Sequence, residues 1–332
     1  MRDAGMELVV HYRHLSYMGF AEVIRHLPAI ASRLRQCRED ILTWKPDALV
    51  LIDFAGFNLR MARFARKRGI KVFWYIAPKV WAWNAGRVRA LRAAVDRLFV
   101  ILPFEKEFFE SKGLKVHYVG NPVMDAVKNH RPDRQFMDRY GFQSDRPLIA
   151  LLPGSRRQEV VRMVPVLADV VRHYPLWQFG VAVVDNLPAS VYKALEGFEN
   201  VRLVRASTYD LLLHAGAAVV TSGTATLETA LFGIPQVVVY RTSALNYAFG
   251  RMLIRVPHIS LVNLIAGREV VREFIQQEAN AKNIGSELDR ILKGENYRAA
   301  MVAGYHEIQR LLDTGSASAN TARLMLQYLE DT

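Results

Sequence analysis

From Ala48 onward, short runs of β-branched and aliphatic residues alternate with longer segments whose apolar positions recur every three or four residues. A parallel sheet with crossover helices leaves this pattern in a sequence. The spacing predicts strands at Ala48–Ile52, Lys71–Ile76, Arg97–Ile101 and Lys115–Val119, separated by helices near Phe57–Arg68, Asn84–Val95 and Phe104–Lys112. A stretch rich in charge and turn formers, Gly120 to Arg146, then breaks the rhythm. It resumes with strands Leu148–Leu152, Gln178–Val184, Val201–Val204, Ala217–Thr221 and Gln236–Tyr240, and closes with helices from about Ala281 to the end. The expected fold is α/β, two Rossmann-like doubly wound parallel-sheet domains with a ligand cleft between them. The expected division is 1–143, 144–312 and a closing helical segment, 313–332, placed to pack back on the first domain.

Upstream, Ser16 to Leu42 reads as helix broken or kinked at Pro28. Its apolar residues Met18, Phe20, Val23, Ile24, Leu27 and Ile30 recur at helical spacing beside Arg25, Arg33 and Arg35. Such a segment serves either as a helix packed on the sheet or as a surface that dips into a membrane interface.

The length of 332 residues suits about two domains. Subtracting 32 acidic from 44 basic residues leaves +12, which favours anionic partners: phosphorylated substrates, acidic lipid or nucleic acid. No nucleic-acid-binding motif accompanies the charge, so nucleic acid is the weaker reading. The lone Cys37 has no partner for a disulfide and points to a reducing compartment. The apolar runs fall far short of the roughly 18 residues a spanning helix needs. The start at Met1 carries no apolar signal core, so a cytoplasmic protein is expected. G-x-G-x-x-G, the P-loop, G-x-S-x-G and H-E-x-x-H are all absent, and no Asp-x-Asp pair occurs. No cofactor and no metal are expected; phosphate would be neutralised by amides and basic side chains.

Two strand-to-helix turns suit that task. In Val219-Val-Thr-Ser-Gly-Thr-Ala-Thr-Leu-Glu228, a strand runs into a helix whose first turn is small and hydroxylated, leaving the Gly223 and Thr224 amides outward for phosphate. Glu228, four residues beyond Thr224, lies one turn behind, where ribose hydroxyls need an acceptor. The alternative is that Ser222 caps the helix and Glu228 is solvated. In Leu151-Leu-Pro-Gly-Ser-Arg156, Gly154 and Ser155 offer amides and a hydroxyl and Arg156 a forked cation suited to a diphosphate. In the first block Asp53 follows a strand at its carboxyl end, as a general base or as a turn cap. Trp81 and Trp83 wall a pocket or fill core. The basic runs around Arg60–Arg68 and Arg87–Arg92 are solvated faces or grips for an anionic surface.

Met18-Gly-Phe-Ala-Glu-Val, Trp81-Ala-Trp, Leu102-Pro-Phe-Glu, Leu152-Pro-Gly-Ser-Arg, Ser222-Gly-Thr-Ala-Thr-Leu-Glu and Asn263-Leu-Ile-Ala-Gly-Arg occur in this order. Together they make the chain resemble the lipid-A-disaccharide synthase family over nearly its whole length. The resemblance implies a GT-B fold and a metal-independent inverting glycosyltransferase. Its reaction would join UDP-2,3-diacylglucosamine to 2,3-diacylglucosamine 1-phosphate in a β-1,6 linkage and release UDP. Carried over by motif, it implies Asp53 as the important carboxylate, with Gly154, Ser155, Arg156, Ser222, Gly223, Thr224, Glu228 and Asn263 on the UDP side. Met18, Phe20, Trp81, Trp83 and Arg87 would face the acceptor and lipid. The cytoplasmic face of the inner membrane, a Gram-negative source and a homodimer follow from the same resemblance.

The chain departs from the family pattern in two places. Gly56 stands where relatives carry a second carboxylate, and the Gly-Glu-x-Ser-Gly-Asp loop with its strand would precede Met1. The alternatives are another UDP-sugar enzyme of the same fold, such as an epimerase, or an inactive UDP-sugar or lipid-binding remnant.

Overall fold

The computed structural model describes residues 5–10, 27–83, 85–253 and 256–331. Helix α1 (Leu27–Trp44) leads into β1 (Ala48–Ile52), α2 (Ala55–Arg66), β2 (Lys71–Tyr75), the one-turn α3 (Val80–Trp83), α4 (Val88–Ala94), β3 (Arg97–Val100), α5 (Pro103–Glu110) and β4 (Val116–Tyr118). These strands form a parallel sheet in the order β1-β2-β3-β4, the front sheet.

Two short helices, α6 (Pro122–Lys128) and α7 (Phe136–Tyr140), cross to the rear sheet. There follow β5 (Leu148–Leu152), α8 (Arg157–His173), β6 (Gln178–Val183), α9 (Lys193–Glu196), β7 (Val201–Arg205), α10 (Thr208–His214), β8 (Ala217–Thr221) and α11 (Thr224–Leu231). The rear lobe continues with β9 (Gln236–Tyr240), α12 (Ala244–Leu253), α13 (Leu261–Ala266), β10 (Glu273–Ile275), α14 (Ala281–Lys293) and α15 (Glu295–Leu312). Its strand order is β10-β9-β8-β5-β6-β7, all parallel. The chain steps from β5 out to β7, then returns to the other side of β5 with β8. The order therefore reverses between β5 and β8, where doubly wound sheets open a crevice at their carboxyl ends.

The central strands of the rear sheet read as continuous apolar runs because both faces are covered: every residue of β5, β6 and β8 is buried. In the front sheet, Val72, Trp74, Leu98 and Val100 face one core, with Met61, Ala62 and Leu91. Phe73 and Phe99 face the other side, which is covered by the last helix, α16 (Ala317–Glu330), through Leu324, Met325, Tyr328 and Leu329. Asp125 on α6 accepts the Ser316 hydroxyl and the Ala317 and Ser318 amides at the start of α16. Tyr328 is held by Lys71, which donates to its carbonyl at 2.6 Å, by His117 at 2.9 Å, and by the Arg97 guanidinium 4.1 Å from its ring.

The interrupting stretch Gly120–Arg146 is not irregular. Asn121 caps α6, accepting from the Val123 amide at 3.0 Å with Pro122 in the first turn, a favoured helix start. Phe136 is fully buried with Phe142, Leu148 and Leu211, and the Asp133 amide and His130 both bond Asp210 on α10. The expected boundary at 143/144 thus falls inside a segment already packed on the rear sheet.

Candidate active site

Pairing of Leu152 with Val220 brings the β5 and β8 ends together, so the turns Pro153–Arg156 and Ser222–Thr224 stand side by side. They line a cavity of about 710 Å³ that also receives Glu228, Thr221 and His258 from the rear lobe and Lys79 and Trp81 from the front. Of the six non-glycine residues with positive φ among the described residues, all but Lys45 lie on these edges. Asp53, Phe54, Ile76, Ala206 and Gln276 adopt φ of 47°, 44°, 61°, 52° and 55°, and they follow the carboxyl ends of β1, β2, β7 and β10. Non-glycine residues held in this region cost on the order of 1–3 kcal/mol each and cluster at working sites.

The Ser222 turn is not built as the capping alternative has it. Ser222 does not cap α11: its hydroxyl donates to the Ile259 carbonyl at 2.7 Å, tying down the loop that carries His258. No side chain caps α11, and its first turn holds no acid. A Cβ built on Gly223 would meet only the Thr221 carbonyl, at 4.0 Å, so the approach to these amides is open. The Thr221 hydroxyl, buried at the end of β8, has no hydrogen-bond partner among the described residues. Glu228 is not solvated either. It is partly buried on the cavity wall and accepts from the Tyr209 hydroxyl at 2.8 Å. Burial pushes its carboxyl above the ordinary range, and the Tyr209 bond partly offsets this.

The Gly154 turn differs from expectation. Gly154 has φ +112°, and a Cβ there would lie 2.8 Å from Glu159 Cβ and Oε2, so glycine is required. Glu159 Oε2 accepts from the Ser155 and Arg156 amides at 3.2 Å each, and its Oε1 takes the Arg156 guanidinium at 2.7 Å. The helix start that Gly154 and Ser155 were to offer a phosphate is therefore already satisfied by a carboxylate of its own helix. Arg156 stands immediately before α8, and Glu159 beside it offsets the unfavourable placement of a cation at a helix start.

Asn263 does not line the cavity and is wholly buried. Its Nδ2 donates to the Val271 carbonyl at 2.8 Å and to Glu273 at 2.9 Å, while its Oδ1 accepts the Val270 and Val271 amides at 2.7 and 3.0 Å. Every polar valence is used by the scaffold, so its expected UDP contact is replaced by a structural one. Glu273 in turn accepts the Ile259 and Ser260 amides at 2.9 Å, so Asn263 acts on the cavity through the loop it braces.

On the front side, Trp81 reaches the cavity wall, ring edge-on to Phe104 at 4.9 Å, its indole donating to Glu105 at 2.9 Å. Glu105 is buried and also accepts the Ile101 and Leu102 amides; burial raises its carboxyl above the usual range. Asp53 is exposed and is not among the cavity-lining residues. It stands on the same carboxyl edge as the Lys79–Trp81 turn, one strand further out: its amide bonds the Tyr75 carbonyl at 3.1 Å. Asn58 secures the strained turn, donating to the Ile52 and Asp53 carbonyls at 3.1 and 2.8 Å. Arg87 is exposed ahead of α4 and does not line the cavity. Met18 and Phe20, and the side chain of Trp83, lie outside the described residues. Among the described residues no group of three or more His, Cys, Asp or Glu could hold a metal ion, and no helix is long and apolar enough to cross a membrane.

The family model for lipid-A-disaccharide synthetase matches residues 1–325. The chain belongs to that family. Among its relatives, the lipid-A-disaccharide synthase of Trichlorobacter lovleyi is 36% identical over 338 residues, covering 100% of this chain and 88% of that protein. The Syntrophus aciditrophicus enzyme of the same name is 39% identical over 99% of this chain and 88% of its own length. Similar solved structures include a UDP-GlcNAc 2-epimerase from Neisseria meningitidis bound to UDP-GlcNAc, with a TM-score of 0.65 at 17% identity over 94% of this chain and 83% of that one. A second is Phytolacca americana UGT2 complexed with UDP-2fluoro-glucose and pterostilbene, with a TM-score of 0.61 at 13% identity over 97% and 85%. The fold is the GT-B type expected of the lipid-A-disaccharide synthetase family. Lys79, Glu159 and Thr221 also line the cavity and Tyr209 bonds Glu228 behind it, and sequence reasoning singled out none of the four; Glu159 alone left a local signal, a carboxylate in a helix's first turn able to reach back to the amides before it.

Proposed function

We propose that the chain joins UDP-2,3-diacylglucosamine to the 6-hydroxyl of 2,3-diacylglucosamine 1-phosphate, inverting the anomeric carbon and releasing UDP. The observation that carries this reading is the cavity at the β5/β8 reversal, where an uncapped helix start and a carboxylate one turn behind it face the front-lobe Trp81. The departing diphosphate lies against the Gly223 and Thr224 amides with Arg156 at the rim, and its ribose lies on Glu228. Asp53 takes the proton from the acceptor hydroxyl as that oxygen attacks from the face opposite UDP. Because Asp53 stands one strand outside the cavity, the acceptor occupies the gap between it and the donor, and closure of the lobes aligns the two.

Incubation of the chain with the donor, with and without the lipid monophosphate, tests this by UDP release and product mass. Disaccharide and UDP are expected only with both substrates; epimerised donor without acceptor overturns the assignment. Asp53→Asn lowers turnover by about 10²-fold or more, as loss of a general base does, and leaves donor affinity intact; equal loss of both removes Asp53 from that role.

The same reading places the chain in the cytoplasm, peripheral to the inner membrane. The acylated substrates favour such contact, and α1 leaves Leu42 and Trp44 exposed on a strongly basic lobe. Liposome flotation that depends on anionic lipid, and sedimentation at the mass of a homodimer, are the expected results.

A further inference from the structure

Glu228 has two carboxylate oxygens, and the fold has claimed one of them. The Tyr209 hydroxyl donates to Oε1 at 2.8 Å, and Tyr209 belongs to a different helix, α10, reached only after β7. Its ring is clamped rather than merely adjacent. Phe232, just past α11, lies 4.9 Å from it at 60°, and His130 from the interlobe connection lies 5.4 Å away at 88°. His130 is itself fixed: its Nε2 is 3.0 Å from Asp210 Oδ1, and buried Asp210 also accepts the Asp133 amide at 2.8 Å. Three segments distant in sequence thus set the position of one phenol hydroxyl.

A glutamate side chain has three rotatable bonds, and a carboxylate that must be ordered on binding costs affinity for each rotor it stops. A donor already bonded to one oxygen stops those rotors beforehand and leaves the second oxygen to accept from a ligand. The vicinal hydroxyls of a ribose need an acceptor in one fixed place. We propose that Tyr209 is a positioning residue that holds the Glu228 carboxylate in place to receive the ribose hydroxyls of the nucleotide, and so sets the preference of this site for ribonucleotide over deoxyribonucleotide. The inference rests on the reading of the cavity as a nucleotide site.

Calorimetric titration of the full chain with UDP and with 2′-deoxy-UDP tests it. The unaltered chain binds UDP more tightly than 2′-deoxy-UDP, and Glu228→Gln removes most of that preference. Tyr209→Phe keeps the ring and deletes only the hydroxyl. It weakens UDP by about 10-fold, the scale of one charge-assisted hydrogen bond, and leaves 2′-deoxy-UDP nearly unchanged. Phe232→Leu, which loosens the ring without touching the hydroxyl, gives a smaller loss of the same preference and carries the test should Tyr209→Phe fold poorly. If Tyr209→Phe keeps the full preference, or weakens both nucleotides equally, Tyr209 is packing only and the inference falls while the nucleotide site stands. If the unaltered chain binds both nucleotides equally or neither, the ribose role of Glu228 falls, and this inference with it.

Discussion

Replacing Asn263 by alanine separates a residue that braces the site from one that touches the nucleotide. The side chain is wholly buried and makes four hydrogen bonds, to the Val270 and Val271 amides, the Val271 carbonyl and Glu273. Alanine strands three backbone groups and takes one donor from a carboxylate. At about 1–3 kcal/mol for each buried group left unpaired, and allowing for water entering the space, the expected loss is about 4 kcal/mol. With a urea dependence of about 2.5 kcal/mol per molar, that lowers the rear-lobe midpoint by about 1.5 M. Trp177, packed on the rear core, reports the transition by fluorescence. UDP affinity falls as well, because the Ile259–Ser260 loop loses its anchor at Glu273. A variant as stable as the parent but unable to bind UDP would refute the reasoning and return Asn263 to direct contact.

Gly154→Ala forces a Cβ to within 2.8 Å of Glu159 at φ +112°; melting experiments are expected to show a loss of about 2 kcal/mol or more, with weaker UDP binding. Burial raises the Glu228 carboxyl, and under the proposed function its ionised form accepts the ribose hydroxyls, so UDP affinity is expected to hold at neutral pH. On acidification it declines from above the usual glutamate value of about 4.3, and calorimetry on Glu228→Gln shows that part of the pH dependence abolished. Tyr328→Ala removes a ring packed against Arg97 and the front sheet; a loss of about 3 kcal/mol is expected, and hydrogen exchange should show reduced protection in β2 and β3 with the rear strands unchanged.

Much of the strand framework was legible because the central rear strands β5, β6 and β8 are buried on both faces and read as largely apolar runs. Strand β10 was not: Glu273–Ile275 is too short for any period and exists because β9 pairs with it. The helix start at Asn121-Pro122 was legible as a cap followed by proline but lay in a stretch whose charge hid it. At the site, chemistry singled out Glu228 and Gly223 for a nucleotide role, and both line the cavity, since a strand-to-helix turn fixes them locally. It could not see that Glu159 satisfies the Gly154 turn, that Asn263 spends every bond on the scaffold, or that Tyr209 meets Glu228. The last two depend on contacts between elements whose spacing in sequence carries no signal.

A crystal structure with UDP is the most direct test of the proposed function, because that proposal fixes where the nucleotide lies. It predicts ribose hydroxyls on Glu228 and a phosphate about 2.7–3.2 Å from the Gly223 and Thr224 amides. An ordered UDP outside this cavity, or within it but with its ribose turned away from Glu228, would contradict it.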